Sequence, residues 1–238
     1  MHPSGRCGPV ERMPKFSSLA DVSCPLATAA AAERRRGERL VRWRVATISM
    51  SVLDREIVLG VSGGIAAYKA AALASLLVQR GASVTAVLTR NARRFVGSPT
   101  FAALTGRPVA SRSFDPGVYP LGAHIELAAR AELVVVAPAS ANFLARAAAG
   151  AADDLLTTLL LCAECPVIVA PAMNAAMWAK AAVQRNVERL AADGLHVVPP
   201  GTGWLSCRTA GVGRMAEPDA IAAVIETTLA GRPPRRNS

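Results

Sequence analysis

The sequence predicts an α/β fold of three layers, with a doubly wound parallel sheet between two sets of helices. Three observations carry this. Unbroken apolar runs of strand length recur along the chain, at 56–61, 82–88, 133–137 and 167–170. Strands buried on both faces look like this, because neither face needs polar side chains. Ala/Leu-rich stretches of helical length lie between these runs, and alternating strand and helix implies parallel pairing through right-handed crossovers. Gly, Pro, Ser or Asn stands at most of the switches, where a change of backbone direction needs them.

Taken in order, the first strand (56–61) runs into Ser62-Gly63-Gly64 and then a helix that ends at Arg80-Gly81. Gly81 is placed to take the left-handed conformation just past a helix end. After the second strand, Ser98-Pro99 reads as the N-cap and first residue of a short helix. The third strand is followed, after a polar turn, by Ala151-Ala152-Asp153-Asp154, which opens a helix with acids in its first turn, where the helix dipole favours them. The fourth strand leads to a helix over 184–193 closed by Gly194. The fifth strand is 196–198, and the last helix is 218–229. Glycine-rich 203–215 reads as a loop. Residues 55–230 thus form one domain, preceded by an extension (1–54) and followed by a short basic tail (231–238).

Composition narrows the function. A chain of 238 residues that is 52% hydrophobic can bury a sizeable core. No apolar run approaches the roughly 20 uncharged residues a membrane span needs, so a cytoplasmic protein is expected. The net charge of +10 sits mostly at the ends: residues 1–49 carry +5 and 231–238 carry +3, leaving only +2 for 50–230. With 4% aromatic residues there is no base-stacking surface either, and nucleic-acid binding is not expected. Residues 1–54 mix Pro, Ser and Ala with an arginine cluster and show no sustained period. They read as a disordered extension, an organelle presequence, or an upstream mis-start with Met50 as the natural first residue; they lack the apolar h-region of a secretion signal. Five cysteines (Cys7, Cys24, Cys162, Cys165, Cys207) at irregular spacing make a poor disulfide framework and suggest a reducing compartment. Cys162-Ala-Glu-Cys165 has no second pair and reads as buried structural thiols. No metal site is signalled.

The unusual residues collect at the carboxyl ends of the predicted strands, where open α/β sheets bind ligands. Ser62, Gly63, Gly64 and Ile65 form the first turn: glycines allow close approach, Ser62 offers a hydroxyl, and the following helix presents free amides and a positive dipole end. That suits a phosphate. The motif is neither GxGxxG nor Walker A, since Lys69 lies mid-helix, and an ordinary tight turn fits equally well. Ser140, Ala141 and Asn142 repeat the pattern after the third strand. After the fourth, Asn174 is placed to hydrogen-bond a carboxylate or amide without adding charge, while Met173, Met177 and Trp178 form an apolar wall for which core packing is the expected role. In the 203–215 loop, Cys207 is the best nucleophile or proton donor in the chain, and Arg208 and Arg214 favour a thiolate or hold an anion. His124 opens a short helix ahead of the third strand; His2 lies in the extension and His196 in a predicted strand.

Together the stretches SGGIAAYK (62–69), TRNARRF (89–95), HIEL (124–127), APASANFLARAAAGAADDLLTT (137–158), PAMNAAMW (171–178) and GWLSCRTAGVGRM (203–215) resemble the homo-oligomeric flavin-containing cysteine decarboxylases, in family order over roughly 170 residues. PAMNxxMW followed by the Cys/GxGRM loop is the most specific part. The resemblance implies a Rossmann-like flavoprotein with non-covalent FMN, held by Ser62, Gly63, Gly64, Ile65, Thr89, Ser140, Ala141, Asn142 and Ala172. It implies His124 as active-site base and Cys207 as proton donor. It also implies Asn174 as the clamp on the substrate carboxylate, with Met177, Arg214 and Met215 beside it.

The activity so implied is decarboxylation of 4′-phosphopantothenoylcysteine to 4′-phosphopantetheine in coenzyme A biosynthesis. Loss of CO2 from a cysteine-derived carboxylate needs an electron sink, which flavin oxidation of the CH2–SH group to a thiocarbonyl supplies. A trimer or dodecamer with FMN at subunit contacts is implied as well. The sequence ends soon after the last predicted helix, so the expectation is a separate phosphopantothenate–cysteine ligase. Departures from the family pattern are Arg208 where Gly is usual, Ser206 for a common Ala, and Lys180-Ala181 where His-Pro is frequent. Alternatives are a peptidyl-cysteine decarboxylase, a flavin prenyltransferase of the same fold, disfavoured by PAMNxxMW and Cys207, and a non-catalytic regulatory relative.

Overall fold

Strand β1 (Glu56–Val61) pairs in parallel with β2 (Ser83–Leu88) on one side and β3 (Leu133–Ala139) on the other; β4 (Val167–Pro171) and β5 (His196–Val197) extend the sheet to the order β2-β1-β3-β4-β5. The computed structural model describes residues 51–234; residues 1–50 of the extension and the last four residues of the basic tail lie outside them. After β1 the chain builds outward to β2, then returns to the far side of β1 to start β3. The order therefore reverses between β1 and β3, and a crevice opens there at the carboxyl ends.

Eight α-helices among the described residues cover the two faces: α1 (Ala67–Gln79), α2 (Ser98–Thr105), α3 (Ala123–Arg130), α4 (Ala141–Ala148), α5 (Leu155–Cys162), the single turn α6 (Ala175–Trp178), α7 (Ala181–Ala192) and α8 (Pro218–Ala230). Each strand serves both cores. Ile57, Leu59, Leu133 and Val135 pack with Leu73 and Leu77 of α1 and Ile221 and Ile225 of α8. The alternate residues Val58, Val134 and Val136 pack with Leu127 of α3, Phe143 of α4 and Leu156 of α5. This double burial is why the strands read as continuous apolar runs. Gly60 in β1 is set by the same packing, since a Cβ there would lie 2.5 Å from Leu156.

The sheet's amino edge is tied by Arg55, whose guanidinium pairs with Glu132 at 2.5 Å and donates to the Leu229 and Arg232 carbonyls. Residues 51–54, which the sequence groups with the extension, belong to this domain: Val52 is fully buried in the core, and Asp54 N–H donates to Gly81 O at 2.9 Å.

Several expectations are corrected. Helix α2 takes Gly97 as N-cap, so Ser98 is its first residue. Asp153 and Asp154 precede the first turn of α5: Asp154 is its N-cap, in a capping box with Thr157, and both acids pair with Arg146. Cys162 is exposed at the end of α5 and Cys165 is half-buried, because α5 turns its apolar face inward through Leu155, Leu156 and Leu159. The glycine-rich loop is an antiparallel ribbon of β6 (Gly201–Trp204) and β7 (Ala210–Arg214), joined by a turn closed by Leu205 N–H to Thr209 O and Arg208 N–H to Leu205 O. Arg208 sits there at φ 62°, a left-handed conformation that favours glycine.

Candidate active site

A cavity of about 540 Å³ opens at the carboxyl edge of the sheet, within the range of about 300–1,000 Å³ typical of small-molecule and cofactor sites. Its floor is the β1–α1 turn and the start of α4. The PAMN segment (171–174) and α6 form the wall together with the β6–β7 ribbon. Eleven of the residues singled out in the sequence line it: Gly63, Gly64, Ile65, Ser140, Ala141, Ala172, Asn174, Met177, Cys207, Arg214 and Met215.

The floor suits a phosphate. Helix α1 starts at Ala67 with Ala66 as N-cap and no side-chain cap. The amides of Ala67, Tyr68 and Lys69 donate to the Gly64, Ile65 and Ala66 carbonyls, so what the turn offers an anion is the positive dipole end of the helix. A Cβ on Gly64 would meet nothing within 4 Å, whereas one on Gly63 would lie 2.5 Å from Asn91; the turn is open on the cavity side and tight behind. Ser62 does not line the cavity. It is buried, donates its hydroxyl to Pro138 O at 2.8 Å and accepts from Ser140 N–H at 2.8 Å. It thereby joins the ends of β1 and β3 and sets the crevice that Ser140 and Ala141 face. Thr89 accepts from Ala92 N–H at 3.3 Å, and Asn142 is exposed on α4; neither lines the cavity.

The wall joins the two residues of the most specific motif. Asn174 caps α6, its Oδ1 accepting from Ala176 N–H at 2.7 Å, and its Nδ2 donates to Cys207 Sγ at 3.1 Å. Thr209 Oγ1 lies 3.0 Å from the same sulfur. These contacts, Thr209's above all and then Asn174's, hold the Cys207 thiol below the usual cysteine range, because hydrogen bonds to sulfur favour the thiolate. The ribbon reaches this position because β7 lies directly on the PAMN turn: Met173 N–H donates to Gly213 O at 2.9 Å. A Cβ on Gly213, at φ 146°, would fall 2.2 Å from Met173 O, and one on Gly211 would fall 2.8 Å from Ala175 Cβ. Helix α6 has no buried residue, and Met177 is exposed on the cavity, which corrects its expected core role; Met173 lines the cavity and also packs against the core.

His124 is separate. It is the second residue of α3 and does not line the cavity. Its Nδ1 is buried and has no hydrogen-bond partner among the described residues, an unusual state for a buried polar atom. The sequence reading missed Tyr68, Trp204 and Leu205 as cavity residues, and above all Lys69. The signal for Lys69 was present: it falls on the apolar face of α1 with Ala70 and Leu73, where a charge needs a partner. It finds two, donating to Met215 O at 3.1 Å and Glu217 Oε1 at 2.9 Å. Among the described residues there is no cluster of potential metal ligands and no helix long and apolar enough to cross a membrane.

Comparison with known proteins agrees with this geometry. The profile of the family described as Flavoprotein matches residues 47–230. The coenzyme A biosynthesis bifunctional protein CoaBC of Vibrio vulnificus is 44% identical over 183 residues, covering 77% of this chain and 46% of that protein; that of Bacillus subtilis is 45% identical over 177 residues, covering 74% and 44%. The chain thus spans about half the length of the curated relatives it matches. Among solved structures, the FMN-dependent cysteine decarboxylase SpaF is 35% identical with a TM-score of 0.64, covering 76% of this chain and 98% of that one. A PPC decarboxylase mutant complexed with pantothenoylaminoethenethiol is 30% identical with a TM-score of 0.66, covering 73% and 97%. With a family match over most of the chain and nearly the full length of such structures aligned, this chain belongs to the Flavoprotein family, in its group of flavin-containing cysteine decarboxylases.

Proposed function

We propose that this protein is an FMN-dependent phosphopantothenoylcysteine decarboxylase, converting 4′-phosphopantothenoylcysteine to 4′-phosphopantetheine. The observation that carries the reading is the Asn174 Nδ2 to Cys207 Sγ contact of 3.1 Å at the cavity wall: a neutral amide donor and a proton-bearing sulfur meet where a substrate carboxylate and its reacting carbon fit together. The cavity suits FMN: the positive dipole end of α1 and the open side of Gly64 take its phosphate, while Ile65, Ser140, Ala141 and Ala172 border the space for its ring. When bound, FMN supplies the two-electron oxidation of the substrate's CH2–SH group that makes loss of CO2 feasible, and later reverses it.

The chain's own residues do the rest. Asn174 donates to the carboxylate, Met177 excludes water beside it, and Arg214 attracts the anion. Cys207 delivers a proton from Sγ to carbon, its thiol poised by Thr209 and Asn174. His124 acts across a subunit contact as the base. The exposed apolar residues Leu121 and Ile125 beside it, and Ile65 and Tyr68 at the cavity mouth, fit a homo-oligomer, a trimer or a dodecamer. A phosphopantothenate–cysteine ligase activity in the same cytoplasmic compartment supplies the substrate.

The test is to purify the protein, record its flavin spectrum and assay CO2 release from 4′-phosphopantothenoylcysteine, with a peptide ending in cysteine in parallel. A yellow protein that releases CO2 from the first supports the reading. A colourless protein that FMN does not reconstitute overturns it, and turnover of the peptide alone reassigns the substrate.

A further inference from the structure

Glu217 has no part in the scheme above, yet it contacts both cations of the cavity wall. It is the N-cap of α8 in extended backbone, but its side chain makes no cap hydrogen bond to its own helix. It turns toward the cavity instead, and one oxygen, Oε1, meets Lys69 Nζ at 2.9 Å and Arg214 Nη2 at 3.0 Å. Lys69 and Arg214 both line the cavity, whose wall holds no carboxylate. The Lys69 side chain is only 6% exposed, and an ammonium that deep needs a counter-charge. Lys69 also donates to Met215 O at 3.1 Å, so the same cluster ties down the chain where β7 leaves the ribbon.

We infer that Glu217 is a positioning residue: it holds Lys69 and Arg214 as one fixed cationic wall turned toward the anionic groups of the substrate. The inference rests on the proposed reading that the cavity takes an anionic cysteine-derived carboxylate. Two physical points support it. An arginine with a 41% exposed side chain samples many rotamers unless something fixes it, and fixing it before binding removes that entropic cost from the binding step. Two cations sharing one carboxylate leave a single net positive charge at the wall, which attracts an anion while limiting repulsion between the cations. The carboxylate remains charged through neutral pH, because the bond from Lys69 first, and Arg214 after it, hold the Glu217 carboxyl below the ordinary glutamate range.

The experiment uses the flavin-loaded full chain and its variants Glu217→Gln, Glu217→Asp, Arg214→Ala and the Arg214→Ala/Glu217→Gln double. Affinity is measured by calorimetry with the non-reacting serine analogue, 4′-phosphopantothenoylserine; KM and kcat are measured with the cysteine substrate, and flavin content and melting temperature are recorded. Glu217→Gln is expected to weaken analogue binding and raise KM about tenfold, the usual scale for one charge-assisted hydrogen bond. Its kcat and flavin content change little, its melting temperature falls because Lys69 loses its counter-charge, and Glu217→Asp recovers most of the loss. In the Arg214→Ala background Glu217→Gln adds little, since coupled residues are non-additive. Unchanged affinity in Glu217→Gln overturns the inference, as do strictly additive losses, or lost flavin with normal affinity in what survives. A wild-type protein that neither binds the analogue nor turns over overturns the proposed function and this inference with it, before any variant is compared.

Discussion

At the residue scale the site turns on one sulfur and its two neighbours. At Cys207 the hydrogen bond from Thr209, with that from Asn174, outweighs the opposing desolvation and lowers the thiol below the usual cysteine range. Replacing Thr209 by Val removes the larger contribution and moves the thiol titration up, toward an ordinary cysteine. The pH dependence of iodoacetamide labelling at Cys207 reads this directly: its midpoint rises in Thr209→Val, and an unmoved midpoint denies Thr209 the role. The two members of this contact that the sequence marked, Asn174 and Cys207, were legible because PAMNAAMW and the Cys/GxGRM loop are specific strings. Thr209 was not, since a threonine two residues past a cysteine is ordinary. Lys69 lies within a helix, as its sequence position indicates, and only the periodicity of α1 shows that it falls on the buried face. Ser62 was placed in the right turn with its hydroxyl pointed at a ligand, whereas that hydroxyl is used in joining β1 to β3.

At the element scale the β6–β7 ribbon is the part that the sequence concealed. Glycine weakens strand propensity, so four glycines among its strand residues read as a loop. Two of them, Gly211 and Gly213, stand where the backbone crosses the start of α6 too closely for a Cβ. Their spacing of two, the period of a strand, was the available signal. Gly213→Ala is expected to destabilise the protein by about 1–3 kcal/mol through backbone clash and strain, and to speed proteolysis in the turn around Ser206. Wild-type melting and proteolysis in this variant contradict the packing described. The central strands, by contrast, were legible to within a residue or two: burial on both faces left apolar runs with no competing period, as in 56–61.

At the scale of the whole molecule, the doubly wound sheet brings β1, β3 and β4 to one edge, so segments far apart in sequence line a single cavity. His124 lies outside that cavity with an unpartnered buried Nδ1, amid exposed Leu121 and Ile125. The proposed assembly through this face predicts that Ile125→Asp is disruptive: light scattering is expected to show the mass falling toward a single chain, with loss of bound flavin. A flavin-loaded wild-type monomer contradicts that account.

The central claim, that Asn174 and Cys207 form the working centre of a flavin-dependent decarboxylase, is tested most directly by the products of Cys207→Ser. This variant is predicted to keep its flavin and release CO2 from 4′-phosphopantothenoylcysteine, yet to stop at the oxidised enethiol for want of the proton donor. Full turnover to 4′-phosphopantetheine by Cys207→Ser contradicts the claim.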